Sequence, residues 1–146
     1  MSKITPFLWF KVPLDEPIAY YRSIFKNFRL LHDSPQMASF AIEGQRFHAL
    51  YGGRHHDFND AVSFFIDCED QEEVDYFWSR LSADGGAESR CGWLKDKYGL
   101  AWQVIPKALM QYLSDSDRAR AERVTQAMLK MKKIDVPDLD RAAAAG

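Results

Sequence analysis

The sequence predicts an α+β fold built from two βαβββ modules and a helical extension at its C-terminal end. Three observations lead there. Residues 4–12 and 61–68 are both short apolar runs rich in aromatics, and laying 7–12 over 61–66 brings Phe10 onto Phe64 and Val12 onto Ile66. Each run is followed by a segment of helical periodicity and then by short strand-like segments, so the order of elements repeats. Beyond Pro106 the strand signals stop and helical spacing takes over.

In the first module, residues 4–12 read as a strand buried on both faces, ended by Pro13. Asp15-Glu16-Pro17 marks a helix start, with acidic residues near the positive end and a proline in the first turn. Leu14, Ile18, Tyr21 and Phe25 recur at helical spacing and lay one apolar stripe on a sheet. Residues 28–32, 38–42 and 46–51 are three further strands, the last two joined through Glu43-Gly44-Gln45, and residues 52–57 form a loop.

The second module repeats the plan. Residues 61–68 form a strand, and Asp70 caps a helix with Glu73 three positions on in capping-box register. Val74, Phe77, Trp78 and Leu81 give that helix its buried stripe, and Asp84-Gly85-Gly86 ends it. Two strands follow, one at Trp93-Leu94 and one over 100–105. Asp96-Lys97-Tyr98-Gly99 turns the chain between them, with Gly99 free to take positive φ. Pro106 closes the strand and opens a helix over 108–113. Residues 114–117 offer caps for another helix, on which Val124, Ala127, Met128 and Met131 form a stripe opposite Arg118, Glu122 and Lys130. Residues 141–146, with their alanine run, are expected to fray.

At 146 residues the chain is expected to be a single domain: module one at about 1–57, module two at about 58–106 and C-terminal helices at about 107–135. The hydrophobic content of 47% argues against disorder, and a net charge of -2 gives no general attraction to nucleic acid or an anionic membrane. No apolar run approaches the ~20 residues that span a bilayer. The N-terminal stretch lacks the features of a secretory signal, so a cytoplasmic location with Cys68 and Cys91 reduced is expected.

Four groups of residues resemble the vicinal-oxygen-chelate superfamily, which holds the glyoxalase and bleomycin-resistance proteins. They are residues 4–10, residues 21–25, Gly52-Gly53 and residues 91–99. Within it they look most like the PhnB-like branch, often labelled demethylubiquinone 3-methyltransferase, and Trp102-Gln103 and residues 127–135 extend the likeness nearly to the C-terminal end. The family's usual Asn-Gly-Gly-Pro stands here as Tyr51-Gly52-Gly53-Arg54, and its loop before the third strand is cut down to Ser34-Pro35-Gln36.

The resemblance implies the glyoxalase/bleomycin-resistance fold, a cleft enclosed by two curved sheets and a homodimer. It also implies, for the superfamily's enzymes, a divalent metal held from the first, fourth, fifth and eighth strands. Carried over singly, the first-, fifth- and eighth-strand positions fall on Phe7, Ala61 and Gln103, and on the fourth strand His48 alone has a side chain that could coordinate. Phe7 and Ala61 cannot bind a metal, and Gln103 is a weak neutral donor beside a carboxylate. The site is therefore expected to be metal-free and to need no cofactor. His55-His56-Asp57 lacks a convergent third ligand, and His32 reads as a surface residue. Cys91 would need a nearby cation or helix N-terminus to become a nucleophile, and Cys68 reads as inert. The methyltransferase label finds no support, because residues 10–14 hold no glycine where a methyl donor would be cradled.

A lined cavity remains as the expected function. Trp9, Ser63, Phe65 and Gln103 are expected to face inward, with His48, Tyr51 and Trp93 at the border, to bind an unidentified flat or amphipathic small molecule. The rival readings are a metal-dependent lyase or dioxygenase and a drug-sequestering protein of the bleomycin-resistance kind.

Overall fold

The computed structural model describes residues 2–146, and the chain divides into two compact units meeting at Phe58 and Asn59. The first unit runs β1 (Phe7–Phe10), α1 (Asp15–Ile24), β2 (Phe28–Asp33), β3 (Met37–Ile42) and β4 (Gln45–Tyr51). Its four strands form one sheet in the order β1-β4-β3-β2, with β1 parallel to β4 and the other pairs antiparallel. A two-residue turn joins β3 to β4. Glu43 and Gly44 both take positive φ, and this pins Ile42 opposite Gln45 and every pair beyond. One face of the sheet packs under α1. Phe28, Phe40 and Phe47 stack there, and the fully buried Tyr21 ring of α1 lies 6.3 Å from that of Phe40.

The second unit runs β5 (Ser63–Cys68), α2 (Gln71–Leu81), β6 (Ala87–Glu88), β7 (Trp93–Lys95), β8 (Ala101–Pro106), α3 (Lys107–Leu113), α4 (Arg118–Met128) and α5 (Val136–Ala144). Its sheet has the order β5-β8-β7-β6, again with one parallel pair, β5 with β8. The expected α+β fold of two βαβββ modules with a C-terminal helical extension is thus present. Asp70 caps α2 by accepting from the Glu73 N–H at 3.0 Å, and the Glu73 carboxylate reaches back to the Glu69 N–H at 3.1 Å. The four stripe residues Val74, Phe77, Trp78 and Leu81 are the buried ones of α2. Strand β1 is shorter than the expected run, because Pro6 and Lys11 flank the four residues that pair with β4.

The C-terminal end departs from the expectation of fraying. Asp135 accepts from the Asp138 N–H at 3.0 Å, and this cap starts α5, which continues to Ala144. Leu139 and Ala143 enter a core with Ile105, Leu109, Val124 and Ile134, against which Met128 and Met131 also pack. Arg123 holds the last turn by donating to the carbonyls of Ala142 and Ala143. Ala143 is buried in that core, so the alanine run is the end of a packed helix and not a loose tail. No helix among the described residues is long and apolar enough to cross a membrane.

The hairpin between β7 and β8 is built around Asp96, the buried polar residue of the core at 1% exposure. Its carboxylate accepts from the N–H groups of Tyr98 and Leu100 at 2.9 and 3.1 Å and from the Trp102 indole at 2.9 Å. Asp96→Ala strands donors in the interior, at about 1–3 kcal/mol each. We expect it to lower unfolding stability by at least about 2 kcal/mol in urea titration, and Asp96→Asn, which keeps one acceptor oxygen, to lower it less.

Candidate functional site

Each sheet has one face under its helix and an opposite, more open face, which in the second sheet is covered at Ile105 by the C-terminal helices, and strand alternation decides which side chains reach it. On the second sheet the registers set Phe65, Gln103 and Trp93 side by side across β5, β8 and β7. Gln103 donates from Nε2 to Ser63 Oγ at 2.9 Å. Its carbonyl oxygen and second N–H make no further hydrogen bond among the described residues. Phe65 is 47% exposed beside it. A carboxamide with free donor and acceptor capacity thus lies between two aromatic side chains. The sequence-predicted Ser63, Trp93 and Gln103 are brought together here.

On the first sheet, Trp9 and His48 share the open face. The Trp9 indole donates to the Gly53 carbonyl at 2.9 Å, and a Cβ at Gly52 would lie 2.3 Å from its ring, so only glycine lets the ring lie there. His48 Nδ1 meets Ser39 Oγ at 2.7 Å, and its ring centroid lies 5.6 Å from that of Phe7. Tyr51 corrects the expected grouping. It pairs with the buried Phe10 and so lies on the other side of the sheet from His48, in an open groove with Pro13, Asp15, Asp33 and Gln36. Ser39 was missed as the partner of His48. The signal was present, because a two-residue turn after Ile42 counts back to Ser39 opposite His48.

The metal-ligand positions that the resemblance implies hold side chains unsuited to a cation. Phe7 offers a phenyl ring, and Ala61 precedes β5 and offers a methyl group. His48 and Gln103 are both engaged by a serine hydroxyl. Among the described residues no three His, Cys, Asp or Glu side chains are placed to hold a metal ion. This donor set does not fit a divalent cation. The His55-His56-Asp57 stretch is used otherwise: His56 packs edge-on against Trp9 at 4.6 Å, and Asp57 pairs with Lys11.

Both cysteines are free thiols. Cys68 is fully buried, and burial, reinforced by the Glu73 carboxylate, pushes its thiol up to about 12. Cys91 sits half-buried at φ 58, its N–H donating to the Met131 carbonyl at 2.9 Å.

Two four-stranded mixed sheets in βαβββ order define a protein of the vicinal-oxygen-chelate class, PhnB-like within it. The chain belongs to the family described as 3-demethylubiquinone-9 3-methyltransferase, whose profile it matches over residues 2–105. A solved structure of a putative 3-demethylubiquinone-9 3-methyltransferase, PhnB protein, from Bacillus cereus is 28% identical with a TM-score of 0.63. The match covers 72% of this chain and 99% of that one. Protein PA1353 from Pseudomonas aeruginosa is 18% identical at a TM-score of 0.59, covering 73% of this chain and 98% of that one. The fosfomycin resistance protein FosX from Listeria monocytogenes, solved with Mn(II) and sulfate, is 19% identical at 0.52, covering 70% and 87%. These two likenesses show the fold. No curated protein matches the chain. Helices α3 to α5 lie beyond the family profile, which stops at residue 105.

The thiols give a test of this geometry. Below pH 9, Cys68 is protonated folded or unfolded, so its contribution to stability is complete. As pH rises the unfolded thiol ionises first, and the contribution is lost on the way to about 12. We expect Cys68→Ala to flatten the fall in unfolding stability over that range. Iodoacetamide should label Cys91 in the native protein and Cys68 only after unfolding, as read by mass spectrometry.

Proposed function

We propose that this PhnB-like protein binds a small molecule without a metal ion, and that Gln103 orients it. One observation carries the reading: the Phe65, Gln103 and Trp93 row, in which an amide with unused hydrogen-bonding capacity is flanked by aromatic side chains. Such a row suits a flat or amphipathic ligand, whose faces lie on the rings while its polar group meets the amide. Ser63 fixes the amide so that the ligand does not have to order it. Trp9 and His48 lie on the open face of the first sheet and belong to the same proposal as ligand-contacting residues. The methyltransferase of the family description has no counterpart in the connection from β1 to α1, where residues 11–14 hold no glycine to cradle a methyl donor. A cytoplasmic setting, with both thiols reduced, belongs to the same proposal.

The test uses a panel of neutral flat aromatic compounds screened by ligand-observed NMR. Hits should bind Gln103→Leu more weakly by about 1–3 kcal/mol. Gln103→Glu should leave metal content near zero after dialysis, since one carboxylate does not complete a site. Equal binding to Gln103→Leu would overturn the role of the amide. About one equivalent of zinc, nickel, manganese or iron per untagged chain, resisting dialysis, would replace this reading with the metal-enzyme one.

We also propose a homodimer. Strand β2 ends its sheet, so one edge of it is unpaired within that sheet, and Leu30 and Leu31 on it are 36% and 39% exposed. Light scattering at micromolar protein should return twice the chain mass of 16.8 kDa, and a monomer mass sinks the proposal.

A further inference from the structure

The open face of the first sheet carries charge that the reading above does not use. The registers set Arg29, Ala41 and Arg46 in one transverse row across β2, β3 and β4. The next row holds His32, Ser39, His48 and Phe7. A bulge between Leu30 and His32 lets both Arg29 and His32 reach this face. Strands lie about 4.8 Å apart, which puts the Cα atoms of Arg29 and Arg46 about 10 Å apart. Only the Ala41 methyl group stands between them in the row, so two extended guanidinium groups can reach one ligand.

Neither guanidinium makes a hydrogen bond, ion pair or ring contact among the described residues. No acidic residue of these strands falls on their face. Asp33 pairs with Ala38 on the helix side, and Glu43, in the turn, takes the Asn27 amide at 3.3 Å. Two arginines held on one face with no carboxylate repel each other. An oxyanion between them removes that repulsion and gives their planar donor forks the acceptors they lack. The Ser39 and His48 pair, joined at 2.7 Å, adds neutral polar groups one row away.

We propose that this face is an oxyanion site, which takes the phosphate, phosphonate or carboxylate group of a small molecule on Arg29 and Arg46. This goes beyond the Gln103 reading, and it rests on that reading only for the ligand being small.

The test is a titration of 15N-labelled protein with inorganic phosphate, and separately with acetate, against sodium chloride at matched ionic strength. Saturable shifts of the Arg29, Ala41 and Arg46 resonances with phosphate or acetate, absent with chloride, are expected, and the tighter of the two identifies the oxyanion. Arg29→Ala and Arg46→Ala, both at exposed positions, should each weaken binding about tenfold or more. The lysine variants should fall between, since they keep the charge and lose the fork. Equal shifts with chloride, unchanged binding in the alanine variants, or binding confined to a long polyanion such as heparin would each overturn the proposal. Gln103→Leu separates the two readings. Phosphate should still bind to it, and a failed screen of neutral compounds would then remove the Gln103 reading while the arginine site stands.

Discussion

A single buried carboxylate organises the second unit. Asp96 closes the turn from β7 to β8 by collecting two backbone N–H groups and the Trp102 indole, with 1% of its surface left to solvent. The arrangement holds because three donors around one acidic group replace the water it gave up, where an unpartnered charge would be costly. Its consequences run along β8. That strand pairs with β5 on one side and β7 on the other, so fixing its start fixes the register of the whole sheet. Trp102 goes under α2, Gln103 to the open face, and Ile105 into the core that the C-terminal helices close.

The two sheets share a connectivity and differ in what alternation delivers to their open faces. The second presents an amide between aromatics, and the first presents arginines, imidazoles and a hydroxyl. In both, the buried helix-side residues are apolar, while the open-face residues are chemically distinct. That asymmetry follows from packing, which constrains the helix side of each sheet and leaves the other free to carry polar groups. The Ser63 and Ser39 hydroxyls have the same task, each fixing a neighbouring polar side chain on the open face of its sheet.

Much of the fold was legible because the signals were local. The Asp70 cap, the four-residue stripe of α2 and the Glu43-Gly44 turn each follow from a few neighbouring residues. Tyr51 was harder, since the face of a strand residue depends on register, and one step reverses it. Counting from the turn would have placed Tyr51 with Phe47 and Ala49, away from His48. The bulge at Leu31 has no local signal of that kind, so the common face of Arg29 and His32 became visible only with the pairing of β2 to β3. Helix α5 was missed for another reason. Its alanines read as a weak tail, yet Asp135 followed by Pro137 and Asp138 is a helix start, and Ala143 enters the core.

The extension that α5 completes is tied to the same β7–β8 unit that Asp96 organises. The Cys91 and Gly92 N–H groups donate to the carbonyls of Met131 and Lys132 at 2.9 and 2.8 Å, immediately before Trp93 enters its row beside Gln103. Gln71, at the first turn of α2, accepts from the Val136 N–H and donates to the Ile134 carbonyl, while Lys133 pairs with Asp75 at 2.8 Å and holds that carboxyl below its usual range. Of these contacts the exposed ion pair contributes least, and the backbone bonds into a buried cluster contribute most. The helices beyond the family profile therefore grip the second sheet at both the strand that carries Trp93 and the helix behind it. A segment joined in that way is part of the fold of the second unit and not an appendage to it.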